Sequence, residues 1–266
     1  MTTPPIPPDS VPPLRAPVLP KPMNRGPLMP DTLQWLPLAG RPEQLMVLLH
    51  GWGDSAAAMA PLARRLRLAF PQAALLAPDG FEAADDLPAG RQWFARTDAQ
   101  GAVIEANRPA HVAAVLPRLA DWLRAAQAAS GVGPAATALV GFSQGAILAL
   151  ELVQRHDGIA GRVLSFAGRY ATLPEQAPRH TTLHFFHGSA DVVIPAAQAR
   201  QAIARLAALR GDATIDIAQG VGHELPAVLV DCALHRLRSH IPQRTWAVAL
   251  GAVPGRAARP ADAEPD

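Results

Sequence analysis

With 266 residues, of which 49% are hydrophobic and 17% charged, the chain is long enough for one large domain with a well-filled core. The net charge is only +2, and the arginines form neither a run nor an alternation with aromatic residues, which argues against nucleic acid as a partner. Cys232 is the only cysteine, which excludes an intrachain disulfide, and its apolar neighbours predict a buried helical thiol.

The sequence carries no pattern typical of membrane insertion or export. No stretch of about 20 residues stays apolar enough to span a bilayer. Residues 1–9 have neither the cationic start nor the apolar centre of a secretory signal. We therefore expect a cytoplasmic protein without stable membrane insertion, present as a monomer or a homodimer.

The composition changes along the chain and predicts three segments. Residues 1–32 form a proline-rich leader, with 11 prolines in the first 30 residues. Repeated proline prevents helix formation and removes sheet donors, so we expect a disordered, extended leader, with a ligand for a proline-recognising domain as the alternative. Residues 33–242 are expected to form the catalytic domain. Residues 243–266, rich in alanine, proline, glycine and acidic residues, are expected to form a flexible tail.

Strand and helix patterns alternate between residues 44 and 240. Short apolar runs predict strands at 44–49, 73–77, 137–140, 162–166, 182–186 and 213–218. Helical patterns predict helices at 55–70, 108–130, 146–156, 195–209 and 226–240. No period holds between residues 81 and 101, where we expect an irregular segment. This alternation predicts an α/β fold with a mostly parallel central sheet and helices on both faces.

A G-x-S-x-G pattern, Gly141 to Gly145 with Ser143 at its centre, lies between a predicted strand and a predicted helix. In that context the pattern predicts a sharp turn that holds the serine Oγ out from the top of a sheet. The flanking glycines, having no Cβ, let neighbouring segments pack close to a strained turn. Ser143 is therefore the candidate nucleophile.

Three further candidates also follow predicted strands. Active groups of parallel sheets gather at the carboxyl ends of the strands, and Trp52, Asp191 and His223 occupy such positions, as Ser143 does. A serine hydroxyl needs a base beside it, and the base needs an acid that fixes its tautomer. The chain order of serine, acid and histidine is the order typical of this turn, so His223 is the predicted base and Asp191 the predicted acid.

Other histidines and aspartates are weaker candidates. His187 precedes Asp191, the wrong order for the base; His50 is expected to orient the glycine-rich turn that it opens, and His184 lies inside a predicted strand. The remaining histidines are expected to be solvated: His111, His156, His180, His235 and His240. Among the acids, Asp212 falls in a turn, Asp216 falls in a strand, and Asp54 is placed to cap a helix.

The oxyanion of an acyl-transfer reaction needs hydrogen-bond donors, and two backbone N–H groups are candidates. The amide of Gln144 begins a helix, where free N–H groups and the helix dipole favour negative charge. The amide of Trp52 is the second candidate, and in both residues we expect the side chain to matter less than the N–H. No metal and no cofactor is expected, because the sequence has no His-Glu-x-x-His, no cysteine pair and no phosphate-binding glycine loop with a lysine.

These motifs together resemble those of the phospholipase/carboxylesterase family of α/β-hydrolases over roughly residues 43–241. The matching segments are Leu49 to Asp54, Gly141 to Gly145, His187 to Pro195, and Gly222-His223. The resemblance implies the α/β-hydrolase fold, and it implies that Trp93 and Phe94 bind the substrate on the acyl side of the cleft. The sequences around Trp93 and at residues 166–170 resemble a bacterial esterase branch of the family more than its eukaryotic thioesterases.

The resemblance implies a serine hydrolase that cleaves carboxylic esters of small to medium acyl groups through an acyl-serine intermediate. Trp52 stands where the family usually has leucine, and its bulk is expected to narrow the cleft. An acyl-protein thioesterase or lysophospholipase is the alternative enzyme. A catalytically silent α/β-hydrolase scaffold that serves as a binding protein is the alternative of another class.

Overall fold

The computed structural model describes residues 31–85, 87–96 and 108–245. The expected leader and tail lie almost wholly outside these residues. Thr32, which we assigned to the leader, already belongs to the first strand. Arg244, which we assigned to the tail, donates hydrogen bonds to Thr182 Oγ1 and to the carbonyl of Gly161. Contacts of the described residues therefore reach slightly beyond residues 33–242 at both ends.

Strands and helices alternate along most of the described chain. The strands are β1 (Thr32–Trp35), β2 (Gln44–Leu49), β3 (Ala73–Pro78), β4 (Glu82–Ala84), β5 (Leu87–Gln92), β6 (Thr137–Phe142), β7 (Arg162–Phe166), β8 (Thr182–Gly188) and β9 (Ala213–Ala218). The α-helices are α1 (Ala60–Ala69), α2 (Arg108–Ser130), α3 (Gln144–Arg155), α4 (Ala196–Ala208) and α5 (Ala227–Ser239). Among the described helices, none is both long and apolar enough to cross a membrane.

Seven of these strands form one sheet in the order β1-β3-β2-β6-β7-β8-β9. All neighbouring pairs are parallel except β1 with β3, which are antiparallel. The expected mostly parallel sheet is therefore confirmed. Because the central strands are parallel, their carboxyl ends lie along one edge, and the segments that follow β2, β6, β8 and β9 are brought to that edge.

The sheet separates two hydrophobic cores because successive side chains of a strand point to opposite faces. On β2, Leu45, Val47 and Leu49 belong to one core, with residues of α2, α3 and α4. Met46 and Leu48 belong to the other core, with residues of α1 and α5. Helices therefore cover both faces, as expected. Cys232 lies on α5 as predicted, but it is only half-buried.

Two stretches of the segment that we expected to be irregular, Glu82–Ala84 and Leu87–Gln92, form an antiparallel hairpin, whereas residues 97–101 lie outside the described residues. Strands β4 and β5 pair with each other outside the main sheet, and their register shifts between Ala83 and Ala84. The prediction was wrong because β4 is only three residues long and the shift breaks the alternation that a longer strand would show. The hairpin lies next to the candidate site described below.

A polar cluster lies at the opposite, amino-terminal edge of the sheet. Nε2 of His240 lies 3.0 Å from Oδ1 of Asp212, so His240 is paired rather than solvated as expected. His184 is fully buried on β8, and its Nδ1 lies 2.8 Å from the hydroxyl of Thr214. Burial, with smaller contributions from the charges of Arg162 and His240, lowers the pKa of His184 to about 3. This imidazole is therefore neutral near pH 7.

Candidate active site

Ser143 lies in the tight turn between β6 and α3. Its φ of 52° and ψ of −114° fall in a region that is strained for a residue with a side chain. Both flanking glycines are required by close contacts: a Cβ on Gly141 would lie 2.4 Å from the carbonyl oxygen of Gly145, and one on Gly145 would lie 2.2 Å from that of Leu49. The expected nucleophile turn is therefore formed.

The three predicted catalytic side chains meet at the carboxyl edge of the sheet. Nε2 of His223 lies 2.9 Å from Oγ of Ser143, and its Nδ1 lies 2.8 Å from Oδ2 of Asp191. The ring of Phe142 packs against the His223 imidazole at a centroid distance of 5.1 Å. The side chain of Asp191 is fully buried and that of His223 is 16% exposed, so a reacting group can approach the histidine while the acid stays shielded from water.

This geometry determines the tautomer of His223. The Asp191 carboxylate can only accept hydrogen bonds, so Nδ1 carries the proton and donates it. Nε2 is then free to accept the proton of the Ser143 hydroxyl, which is what a general base must do. Oδ1 of Asp191 accepts from the backbone N–H groups of Val193 at 2.9 Å and Ile194 at 2.8 Å, which holds the carboxylate in this orientation.

His187, a rival candidate for the base, supports the acid instead. It is fully buried; its Nε2 lies 2.7 Å from the carbonyl oxygen of Ile194 and 3.3 Å from Oδ2 of Asp191. Burial lowers the pKa of His187, although the carbonyl of Ile194 and the charge of Asp191 act in the opposite direction. The contacts of His187 thus brace the turn that follows Asp191.

His50 orients the loop that follows β2, as the sequence suggested. Its Nε2 accepts a 2.8 Å bond from the N–H of Gly80, so its Nδ1 carries the proton and donates to the carbonyl of Gly51 at 2.6 Å. Burial lowers the pKa of His50, which favours the neutral ring that these bonds require. In a trans peptide the C=O and the following N–H point in opposite directions, so holding the Gly51 carbonyl also fixes the direction of the Trp52 N–H.

The same loop lies beside the Ser143 turn. A Cβ on Gly51 would lie 3.5 Å from Cβ of Ser143 and 3.1 Å from the ring of Phe142. We call His50 to Asp54 the oxyanion loop, because it carries the Trp52 N–H, which the sequence predicts as an oxyanion donor. The second candidate donor, the N–H of Gln144, belongs to the first residue of α3 and has no hydrogen-bond acceptor within the preceding turn.

Strand β5 is attached directly to the oxyanion loop. The N–H of Gly53 donates to the carbonyl of Arg91 at 2.9 Å, and the N–H of Arg91 donates to the carbonyl of Asp54 at 2.7 Å. The Trp52 indole N–H donates to Oε1 of Gln92 at 3.0 Å. The guanidinium of Arg96 stacks 4.3 Å from the centre of the Trp52 ring. The bulky Trp52 side chain is therefore held on both its edge and its face.

Trp93 and Phe94 lie in the core and not on the surface of a cleft. Trp93 has no exposed surface and Phe94 is 3% exposed. The Trp93 indole N–H donates to the carbonyl of His50 at 2.9 Å. The Trp93 side chain thus supports the oxyanion loop. Substrate binding by Trp93 and Phe94 stays a prediction.

The Gln144 side chain makes contacts that the sequence did not predict. It is 4% exposed; its Oε1 accepts from the N–H of Trp93 at 2.8 Å, and its Nε2 donates to the carbonyl of Phe94 at 2.7 Å. A contact between a side-chain amide and a backbone segment about 50 positions away leaves no periodic pattern in the sequence. The only hint of it in the sequence was a polar side chain at the start of a predominantly apolar helix.

The remaining candidates have structural partners. Asp216 forms a two-point ion pair with Arg236 at 2.9 and 3.0 Å. The helical turn at Ala56–Met59 receives its cap from Asp79, whose Oδ1 accepts from the N–H of Ala56 at 2.6 Å, and not from Asp54 as we expected. Within residues 31–85, 87–96 and 108–245, no group of three or more His, Cys, Asp or Glu side chains is arranged to hold a metal ion.

The chain is similar in sequence and in fold to several known proteins. The chain is 43% identical to Esterase YpfH of Escherichia coli (strain K12) over 214 residues, which cover 80% of this chain and 90% of the relative. A crystal structure of esterase PE8 matches 78% of this chain and 97% of its own at 29% identity, with a TM-score of 0.71. A carboxylesterase from Mesorhizobium loti has the same fold at 22% identity, with a TM-score of 0.62 over 74% of this chain and 89% of that one.

The sequence model of a family described as phospholipase/carboxylesterase matches residues 15–241. The match begins inside the segment that we assigned to the leader, earlier than residue 43, where we expected the resemblance to begin. The similarity to a bacterial esterase agrees with the motifs around Trp93 and residues 166–170, which predicted a bacterial esterase branch. With a mostly parallel sheet covered on both faces and a family match over most of its length, the chain belongs to the phospholipase/carboxylesterase family of α/β-hydrolases.

Proposed function

We propose that this protein is a carboxylesterase in which Ser143, His223 and Asp191 form the catalytic triad. The observation that supports this most strongly is the unbroken chain of hydrogen bonds from Asp191 through His223 to Ser143, with distances of 2.8 and 2.9 Å. It lies at the carboxyl edge of a parallel sheet on a strained nucleophile turn. A silent scaffold would have no need to maintain that strain.

Acylation begins when Oγ of Ser143 attacks the acyl carbon of an ester. Nε2 of His223 takes the hydroxyl proton, and the imidazolium that results is stabilised by the Asp191 carboxylate. When the tetrahedral intermediate collapses, the C–O bond to the alcohol breaks, and His223 gives its proton to the departing oxygen. The products of this half-reaction are the free alcohol and an acyl ester of Ser143.

Deacylation repeats the same proton transfers with water in place of the serine. His223 accepts a proton from water, and the hydroxyl that results attacks the acyl carbon. The second tetrahedral intermediate expels Oγ of Ser143, which recovers its proton from His223, and the carboxylic acid leaves. The chemistry needs only the ester and water, and we propose no cofactor and no metal.

The Trp52 and Gln144 N–H groups are the proposed oxyanion donors in both steps. Each belongs to a segment that is held in place before the reaction, one by His50 and β5, the other by α3. Donors that need no reorganisation stabilise the developing charge most strongly, and the loss of one typically costs about 3 kcal/mol of transition-state stabilisation.

Short or medium acyl groups are the proposed substrates. The indole of Trp52 is fixed by Gln92 and Arg96. We propose that the bulk of that fixed ring narrows the cleft and so reduces the room for a long acyl chain. Trp93 enters the proposal as support for the loop, through its bond to the carbonyl of His50, and Phe94 as a partner of the Gln144 side chain. The expected cytoplasmic location and the monomeric or homodimeric state remain predictions that cell fractionation and light scattering would check.

Hydrolysis of p-nitrophenyl esters from acetate to palmitate tests the proposal. The wild type should turn over the short and medium esters best and should be labelled at Ser143 by a fluorophosphonate. Ser143→Ala should lose about 10³- to 10⁶-fold in kcat, because the members of a triad act as a unit. A maximum at palmitate would instead favour a thioesterase or lysophospholipase. Absence of both turnover and labelling in the wild type would favour the silent scaffold.

A further inference from the structure

Gln144 has two separate connections within the site. Its backbone N–H is a proposed oxyanion donor, whereas its side chain is directed away from the reaction and bonds to the backbone of Trp93 and Phe94. The orientation of the side-chain amide is determined by its partners, because a backbone N–H can only donate and a carbonyl oxygen can only accept. The nucleophile turn is thereby tied to the segment that follows β5.

That segment and β5 in turn hold the oxyanion loop. The Trp93 indole N–H donates to the carbonyl of His50, and Arg91 exchanges backbone hydrogen bonds with Gly53 and Asp54. Contact between the two segments is close, since a Cβ on Gly90 would lie 2.4 Å from the carbonyl oxygen of Gly53. The loop that carries the Trp52 N–H thus rests on a strand that lies outside the main sheet and depends on contacts such as those of Gln144 for its position.

We propose that the Gln144 side chain is a positioning residue that sets the direction of the Trp52 N–H relative to the Gln144 N–H. The inference rests on the proposed function, since it concerns the two proposed oxyanion donors. The coupling runs from the side-chain amide to Trp93, from Trp93 to the carbonyl of His50, and from there to the peptide that precedes Trp52. The side chain acts through these groups and touches no reacting atom.

A purely structural role would also place a buried amide there, because buried backbone groups need partners. Gln127 offers a matched control for that alternative. It is 7% exposed, and its Nε2 donates to Thr137 Oγ1 at 3.0 Å and to the carbonyl of Ile159 at 2.9 Å. It too is a buried glutamine that makes two hydrogen bonds, but it lies on α2 and contacts the amino-terminal side of β6.

Gln144→Met and Gln127→Met are the variants for the test. Methionine keeps the length of the side chain and removes its hydrogen bonds, and the Gln144 backbone N–H stays in place. We would measure kcat/KM on a p-nitrophenyl ester and the inhibition constants of two ketones of matched acyl length. The trifluoromethyl ketone forms a tetrahedral adduct whose oxyanion needs both donors, whereas the methyl ketone binds in its planar form.

In Gln144→Met we expect kcat/KM to fall about 10- to 100-fold, a loss typical of a misplaced catalytic group. The inhibition constant of the trifluoromethyl ketone should rise by about the same factor, and that of the methyl ketone should change less than about threefold, because only the tetrahedral state uses the donors. Gln127→Met should keep all three quantities within about twofold of the wild type while losing stability. Equal kinetics in the two variants would overturn the inference, as would parallel weakening of both ketones.

Trp93→Phe provides a second test if Gln144→Met fails to fold. It keeps an aromatic ring in the core and removes the indole N–H that donates to the carbonyl of His50, so it should also weaken the trifluoromethyl ketone selectively. Unchanged selectivity between the ketones in that variant would equally overturn the inference. Ser143→Ala separates the two levels of the argument: full activity in Ser143→Ala would refute the proposed function, whereas wild-type kinetics in Gln144→Met would refute only the role of its side chain.

Discussion

Replacing Asp191 by asparagine should disable the triad by reversing the tautomer of His223. Oδ1 of Asp191 accepts two backbone N–H bonds, from Val193 and Ile194, and only an oxygen can accept both. The asparagine oxygen must therefore take the Oδ1 position, which leaves its NH₂ group facing Nδ1 of His223. Two donors cannot bond to each other, so the His223 proton moves to Nε2. That nitrogen then presents a proton to Ser143 and can no longer accept one.

The expected loss in kcat for Asp191→Asn is about 10⁴-fold, or about 5 kcal/mol of transition-state stabilisation. Asp212→Asn is the matched control, because Asp212 also pairs with a histidine, His240 at 3.0 Å, at the opposite edge of the sheet. Hydrolysis of p-nitrophenyl butyrate by both variants, with circular dichroism to confirm folding, is the assay. If Asp191→Asn kept more than a tenth of the wild-type kcat, the tautomer argument would be refuted.

Three further predictions concern strain, acidity and close packing. The free energy of unfolding of Ser143→Gly should exceed that of Ser143→Ala by about 1 kcal/mol, because glycine adopts a φ of 52° without strain. Equal urea midpoints of the two variants would contradict this. Since the folded-state pKa of His184, about 3, lies below the unfolded value of 6.5, its contribution to stability is complete above pH 6.5 and is lost as the pH falls towards 3. His184→Asn should therefore lose less stability between pH 6.5 and 4.5 than the wild type, by about 1 kcal/mol per pH unit in denaturant titrations. Gly90→Ala, whose Cβ would displace the carbonyl of Gly53, should lower kcat at least about tenfold. Gly133→Ala should retain wild-type kcat, since its Cβ would have no described atom within 4 Å; similar kcat in the two alanine variants would contradict the packing argument.

The sheet and the meeting of Ser143, Asp191 and His223 could be predicted because both leave local signals. Strands buried on both faces are short continuous apolar runs, such as Gln44–Leu49, and the glycines around Ser143 are needed by contacts within one turn. Positions after such strands converge at one edge whatever the details of packing. Asp191 and His223 could therefore be assigned with no knowledge of how their loops fold.

The supports of the site could not be predicted in this way. Trp93 and Phe94 occupy a segment without periodicity, and only the tertiary structure shows that they are buried. Asp79 caps a helical turn from another loop, a contact that local capping rules assigned to Asp54. The side-chain hydrogen bonds of Gln144 reach partners that lie 51 and 50 positions away in the sequence. Each of these is a long-range contact of a polar group, for which neighbouring residues carry no information.

The β4–β5 hairpin links local unfolding of the chain to its chemistry. Because β4 and β5 form a sheet of their own, the hairpin can open without unfolding of the main sheet. An opening that detaches β5 releases the backbone bonds of Arg91 to Gly53 and Asp54, which are two supports of the oxyanion loop. By reciprocity, a ligand that recruits both oxyanion donors must slow amide hydrogen exchange in the hairpin, although it touches none of those residues. On the proposed mechanism, the opening equilibrium of this hairpin would set the fraction of molecules whose oxyanion loop is fully supported.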